Sequence, residues 1–245
     1  MRIAIDPMTR AEITPDDYLS RYGNKPLGAN TDPRPRVRCG FCDQAMHLVA
    51  GRTEDTVGHF AHLPKSGFCP TKAPSALPYG RLKPRSPDPE GAKRIRQVAM
   101  DNWRWVYAEI KERVPVFEPT EFIALIQEAD KDGLWGYRNL TLQQVPELFM
   151  VSRDFTPATS RSRRYWMRFW FSGNIQSIDD LWIQRPETVT LHRASFPPPK
   201  GRQKIPDAMK MIAKKNIDRV GAPHDAQIQI DERDFKMICE RLKVK

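Results

Sequence analysis

The sequence predicts an α+β protein in which a small, ribbon-like N-terminal module over residues 1–80 precedes an α/β domain over residues 81–245. Residues 34–78 combine a Cys-x-x-Cys turn with many prolines and glycines and few large apolar side chains. The six prolines between 70 and 89 are too dense for regular structure and indicate a connector. Beyond it, helical periodicity is followed by strand-like alternation, which predicts a short β-meander flanked by helices.

The N-terminal module is predicted to begin with a strand at residues 2–5 and a helix that ends at Gly23. Thr14 supplies a hydroxyl N-cap, proline follows in the first turn, and two acids lie at the positive end of the helix dipole. Strands at Val37–Arg38 and Ala45–Val49 follow. The Cys-x-x-Cys turn is therefore expected between two strands.

Five residues of the module are candidate metal ligands: Cys39, Cys42, His59, His62 and Cys69. The Cys-x-x-Cys turn brings two thiolates together, and two further sulfur or nitrogen ligands complete a tetrahedral zinc shell. Our expected set takes the three cysteines with His62 and leaves His59 as the alternative ligand. Phe60, between the histidines, is expected in the core. Because this segment has little apolar surface to bury, a structural Zn²⁺ would supply part of its folding energy.

Two other interpretations of these cysteines stay open, namely ordinary thiols beside surface histidines and a disulfide. Disulfides belong to oxidising compartments, whereas residues 2–5 have the pattern of a strand and not of a targeting segment. The apolar runs are also far shorter than the ~20 residues of a membrane-spanning helix. We therefore expect a cytoplasmic protein with no membrane partner, which favours zinc.

The chain carries a formal net charge of +10, and the excess is unevenly placed. Residues 151–215 contain 13 Lys or Arg against 5 Asp or Glu, whereas residues 114–150 contain 2 against 6. A basic excess confined to some segments is typical of a polyanion-binding face. Nucleic acid is therefore the expected partner, with DNA preferred over RNA. The alternative is a basic protein whose charges are merely solvated.

The elements of the second domain follow from periodicity and turn signals. The predicted helices span 89–114, 119–130, 141–148, 206–220 and 231–242. The predicted strands span 148–151, 164–171, 181–184 and 188–194. Thr120 is the expected cap of the second helix and Gly133 its end. Cys239, in the last helix, is expected to be a small buried side chain and not a ligand.

The strand at 164–171 alternates aromatic and basic residues. Tyr165 and every second residue after it share one face, while Arg164, Trp166, Arg168 and Trp170 share the other. Indole and guanidinium groups can stack on bases and pair with phosphates. The alternative, which we favour for the tryptophans, is burial under a helix. The candidate nucleic-acid-binding residues are Arg161, Arg163, Arg164, Arg168, Lys200, Arg202 and Lys204.

The combination of Cys-x-x-Cys, His-Phe-Ala-His and Cys-Pro resembles the amino-terminal zinc module of competence protein CoiA-like proteins and related phage-borne proteins. The resemblance implies that a restriction-endonuclease-like domain follows. The family's Glu-His pair would fall on Asp88 and Pro89, and residues 148–200 contain no Glu-x-Lys-like triplet. The weak catalytic candidates are Asp88, Lys93, Asp154 and Asp180. A degenerate nuclease-like domain with basic C-terminal helices is therefore expected.

These observations predict a zinc-containing nucleic-acid-binding protein of phage or mobile-element type, with a nuclease-derived domain that no longer cleaves. One alternative is an active DNA nuclease, which would need Mg²⁺ or Mn²⁺ to orient water for in-line attack. Another is a protein-interaction adaptor or inhibitor subunit, in which the zinc module only stabilises the fold.

Overall fold

The computed structural model describes residues 3–23, 34–49, 58–64, 66, 69, 84–157, 163–171, 178–179, 189–198, 212–222 and 230–244. Their architecture is α+β, as predicted, with helices and two antiparallel sheets. The described residues up to 69 belong to one compact unit, and those from 84 onward belong to a second. Within these ranges, no helix combines the length and apolar character that crossing a membrane requires.

The N-terminal unit is built on a five-stranded antiparallel sheet of order β2-β1-β3-β4-β5. Its strands are β1 (Ala4–Ile5), β2 (Glu12–Ile13), β3 (Val37–Arg38), β4 (Ala45–Val49) and β5 (His59–His62). The predicted strands near residue 4, at 37–38 and at 45–49 are confirmed. The two-residue β2 and the four-residue β5 were not predicted, because runs this short carry little periodicity.

Helix α1 (Pro15–Tyr22) has the predicted ends. The Thr14 hydroxyl accepts a hydrogen bond from the Asp17 amide at 3.2 Å, and Gly23, at φ 97°, donates its amide to the Leu19 carbonyl. Tyr18 packs edge-on against Phe60 at a centroid distance of 5.7 Å. Phe60 is 1% exposed, which confirms its predicted core position.

A buried carboxylate that sequence reasoning missed links the first hairpin to α1. Asp6 is fully buried and accepts hydrogen bonds from the Met8 amide at 2.8 Å, the Tyr22 hydroxyl at 3.0 Å and the Arg21 guanidinium. Burial alone would raise the pKa of this carboxyl, but these donors and the Thr9 amide outweigh it and lower the pKa. Asp6 therefore remains charged and holds the hairpin against the helix.

The second unit contains five α-helices among its described residues. They are α2 (Pro89–Asp101), α3 (Trp103–Arg113), α4 (Pro119–Asp132), α5 (Val145–Ser152) and α6 (Glu232–Leu242). Short 3-10 helices at Leu134–Gly136 and Leu142–Gln144 join them. The last predicted helix is confirmed as α6, although Cys239 is only half-buried.

Three predictions about these helices were wrong in detail. The single helix expected over 89–114 is broken at Asn102, whose side-chain amide donates to the Val98 carbonyl at 2.8 Å. Such local side-chain bonds compete with helix propagation. The apolar periodicity continues across the break, so the sequence pattern did not reveal it.

The N-cap of α4 is Glu118 and not Thr120, and the Glu118 amide donates to the Glu121 carboxylate at 3.1 Å. Gly133 ends this helix in the left-handed region, as predicted.

The third correction concerns residues 148–151, which were expected to form a strand and instead form part of α5. All four side chains are buried. A short, continuously apolar run does not distinguish a core strand from a core helix. Pro146, in the first turn, is the signal that favours the helix.

The second sheet is the predicted meander, with antiparallel order β6-β7-β8. Its strands are β6 (Trp166–Phe171), β7 (Leu191–Phe196) and β8 (Ala213–Ile217). The helix expected over 206–220 is therefore wrong at β8, while 206–211 and the predicted strand at 181–184 lie outside the described residues. In the described sheet β8 pairs only with β7, and its sequence shows no clear apolar alternation that would identify a strand.

Both faces of β6 are buried, which the alternation alone did not predict. Phe169 on one face and Trp170 on the other are each 0% exposed, and Arg168 is 1% exposed. Trp166 is half-buried. The favoured interpretation of the tryptophans, a buried role, is confirmed for Trp170.

Candidate metal centre

Cys39, Cys42, His62 and Cys69 converge in the N-terminal unit. Their ligand atoms all lie within 4.8 Å of one another. The Cys39 and Cys69 sulfurs are 3.7 Å apart, and the Cys42 sulfur is 3.3 Å from Nε2 of His62. The sulfur–sulfur distance is far longer than the about 2.05 Å of a disulfide. This group could hold a metal ion.

The β3–β4 turn positions the first two ligands. The Cys39 amide donates to the Gln44 carbonyl at 2.9 Å, and the Asp43 amide donates to the Cys39 carbonyl at 2.8 Å. Asp43 takes the left-handed conformation at φ 57°, and its carboxylate accepts two hydrogen bonds from Arg38 at 2.7 and 2.8 Å. Both cysteines are thereby held on one tight turn next to β3.

An amide–sulfur contact also marks this turn as a ligand turn. The Phe41 amide lies 3.4 Å from the Cys39 sulfur and donates to it. A donor of this kind stabilises negative charge on a thiolate, and groups that hydrogen-bond to a ligand tune its affinity for the metal.

Strand parity explains why His62 and not His59 joins the cluster. The two histidines are three residues apart on β5, and side chains an odd number of residues apart point to opposite faces of a strand. His62 pairs with Met46 and His59 with Val49 on β4. His59 is exposed and lies outside the cluster, so the expected ligand set is the one that the fold brings together.

Substituting the two histidines tests this assignment. His62→Ala should lower the bound metal and destabilise the N-terminal unit, because a closed four-ligand shell loses one ligand. His59→Ala should change stability by less than about 0.5 kcal/mol, as is usual at exposed positions. Elemental analysis of dialysed protein and thermal unfolding followed by circular dichroism measure both effects. A larger loss in His59→Ala than in His62→Ala would contradict the ligand set.

The ligand cysteines are also part of the unit's core. Cys39 and Cys42 are each 1% exposed and Cys69 is 0% exposed. They form one buried cluster with apolar side chains from the sheet and α1: Ala4, Ile13, Tyr18, Val37, Met46, Leu48 and Phe60. Metal binding and core packing therefore depend on each other, because the same three cysteine side chains serve both.

The electrostatics of the cluster favour a cation. Hydrogen bonding to the Cys39 and Cys69 thiols, followed by burial, raises the pKa of the Cys42 thiol. Three neighbouring sulfurs in a buried site cannot all carry charge unless a positive ion balances them. A divalent metal supplies that charge and binds cysteine as the thiolate. Three sulfurs and one imidazole are a donor set that suits zinc.

The other predicted site residues have structural partners or lie outside the described residues. Arg163 is 4% exposed and donates to the Glu121 carboxylate at 3.0 Å. Arg168 donates to both carboxylate oxygens of Asp154, at 2.8 and 2.6 Å. Both arginines are thus internal, which corrects their expected place on a nucleic-acid-binding face. Arg164 is exposed. Outside the described residues lie Arg161, Lys200, Arg202 and Lys204.

The catalytic candidates that the structure describes, Asp88, Lys93 and Asp154, do not form a second metal group. The Asp88 carboxylate caps α2 by accepting the Gly91 amide at 2.9 Å. Lys93 is exposed and pairs with Glu90 at 2.9 Å, while Asp154 is held by Arg168. Asp180 lies outside the described residues. Across the described ranges, the Cys39 cluster is the metal-capable group found.

Comparison of the chain with family models, with curated proteins and with solved structures finds no match.

Proposed function

We propose that the Cys39, Cys42, His62 and Cys69 site holds a structural Zn²⁺. The convergence of three buried sulfurs and one imidazole within 4.8 Å carries this proposal. Four protein ligands complete a tetrahedral shell and leave no open position for substrate, which is the mark of a structural site. The metal would join the β3–β4 turn, the end of β5 and Cys69, three pieces of chain that are separate in the sequence.

We further propose that the protein binds nucleic acid, DNA in preference to RNA. An internal ion pair joins one positive and one negative group and does not alter net charge. The buried pairs Arg163–Glu121 and Arg168–Asp154 therefore leave the net charge of +10 to groups outside those pairs. A surface of that charge attracts polyanions, and phosphate contacts then supply most of the affinity.

The proposal includes a second domain of nuclease ancestry without cleavage activity. Its support is the resemblance of the metal motif to the CoiA-like module, together with the structural roles of Asp88 and Asp154. A carboxylate that caps a helix and one that pairs with a buried arginine are poorly placed to bind Mg²⁺.

Fluorescence anisotropy with labelled DNA tests the binding proposal. We expect duplex and single-stranded oligonucleotides to bind at low salt, and affinity to fall by about 10³-fold or more between 50 and 200 mM salt if at least six phosphates are contacted. Absence of binding at low salt would refute it, and tighter binding to matched RNA would reverse the preference. If the protein cleaved DNA in Mg²⁺ or Mn²⁺ and Asp88→Ala abolished the cleavage, the proposal that the second domain has lost nuclease activity would be wrong.

A further inference from the structure

Arg193 on β7 is a half-buried cation with no acidic partner among the described residues. Its Nη1 donates to the Arg113 carbonyl at 2.6 Å, which leaves most of the five N–H donors of a guanidinium without a described acceptor. Burial lowers the pKa of Arg193, and no carboxylate in the described part of the chain offsets that effect. A charge removed from water in this way normally has a counterion.

The rest of the unit follows that norm. Among its described residues, the other arginines that are half-buried or buried each contact a carboxylate. They are Arg96, Arg113, Arg153, Arg163, Arg168 and Arg219. Arg193 is the exception within this set, so its missing counterion is specific to its position.

A second cation lies directly opposite Arg193. In the β7–β8 ladder Arg193 pairs with Lys215, so the two side chains leave the same face of the sheet with Cβ atoms about 5 Å apart. Lys215 is exposed, and no carboxylate of the described residues is bonded to it. Like charges directly opposite each other destabilise a sheet, which an anion between them would reverse.

The position of Arg193 and Lys215 in the sheet makes them accessible to a ligand. Strand β8 pairs with β7 alone in the described sheet. Next to Lys215, Asn216 is exposed, and Ile212, just before the strand, is 52% exposed. A long polyanion can therefore approach along β8, where Lys215 meets it first and Arg193 lies one strand further in.

We propose that Arg193 and Lys215 bind one backbone phosphate of DNA. This inference rests on the proposed function. It identifies a phosphate contact on the surface, which the internal side chains of Arg163 and Arg168 do not provide. The guanidinium offers a planar fork that matches two phosphate oxygens, and the ammonium acts as a point charge beside it. The contact reads no sequence, because phosphates are the same at every base pair.

Arg193 also has a structural role that the test must separate from phosphate binding. By donating to the Arg113 carbonyl it stabilises the C-terminal end of α3 (Trp103–Arg113), where cations are favourable. Lys215 makes no such bond to the residues that the structure describes. Lys215→Gln is therefore the informative variant, and it should fold with the same or slightly higher stability because it removes a like-charge contact.

The experiment measures DNA affinity by anisotropy at several salt concentrations for wild type, Lys215→Gln, Arg193→Gln and Lys131→Gln. Lys215→Gln should weaken binding about 5–10-fold near 0.1 M salt and reduce the slope of log K against log salt by about 0.9, the value for one lost duplex contact. Arg193→Gln should do the same. Lys131→Gln, an exposed cation in the acidic segment of the chain, should match wild type.

The outcomes separate this inference from the proposed function. If wild type binds DNA and Lys215→Gln binds with unchanged affinity and slope, the phosphate site is refuted while the function stands. If wild type does not bind, the function itself fails. If inorganic phosphate raises the unfolding temperature of wild type but not of Lys215→Gln, while DNA binding is unaffected, the site takes free phosphate and the DNA assignment is overturned.

Discussion

Cys42→Ser should abolish metal binding and unfold the N-terminal unit. The Cys42 sulfur lies 3.3 Å from Nε2 of His62 and is 1% exposed, so serine would remove a ligand and leave a hydroxyl in the core. Structural zinc sites contribute about 10–16 kcal/mol of apparent binding energy in small modules, which is as large as the ~5–15 kcal/mol stability of a typical domain. Metal content should fall from about one per chain to near zero, with loss of the β-sheet signal in circular dichroism.

Cys239→Ser is the matched control for this change. Cys239 lies on α6 in the other unit and outside the metal group, so its substitution should leave metal content unchanged. Limited proteolysis then locates the damage, because Cys42→Ser should expose cleavage sites within residues 3–69 and spare α2 onward. A Cys42→Ser protein with full metal content and a native spectrum would contradict the assigned ligands.

Asp154→Asn should strongly destabilise the second unit. It removes an acidic partner of Arg168, whose side chain is 2% exposed, while that of Asp154 is 8% exposed. Breaking a buried ion pair from one side typically costs about 3–5 kcal/mol, because the remaining charge stays buried without compensation. Urea unfolding of DNA-free protein should report a loss of this size.

Glu128→Gln provides the comparison within the same unit. Its pair with Arg153 is partly exposed, with 48% and 26% of the two side chains accessible, and such pairs are worth about 0–1 kcal/mol. The double variant Arg168→Met/Asp154→Leu should recover much of the loss, since apolar side chains can replace a buried pair. If Asp154→Asn kept full stability and lowered only DNA affinity, Arg168 would belong to an interface after all.

The parts of the fold that sequence reasoning predicted correctly are those with local causes. Thr14 and Gly23 set the two ends of α1 through hydrogen bonds to residues a few positions away. The Cys39–Cys42 spacing favours a tight turn on which both thiolates can bind one metal. His62, the preferred histidine, is the one that lies with the three cysteines. The reason is the parity of β5, a strand that the sequence did not reveal.

The parts that it missed depend on distant residues. The acids that neutralise Arg168 and Arg163 lie 14 and 42 residues away along the chain. Counting basic residues therefore does not separate cations that face inward from those that face solvent. Strand β8 likewise forms through its backbone pairing with β7, because its own sequence, Ala-Lys-Lys-Asn-Ile, has few of the side chains typical of strands.

The proposed site at Cys39, Cys42, His62 and Cys69 specifies both the identity of the metal and the atoms that bind it. X-ray absorption at the zinc edge, together with elemental analysis, tests this most directly. We expect about one zinc per chain, bound by three sulfurs at about 2.3 Å and one nitrogen at about 2.0 Å. Protein prepared without chelators that holds no zinc, or zinc bound by oxygen ligands, would contradict the account.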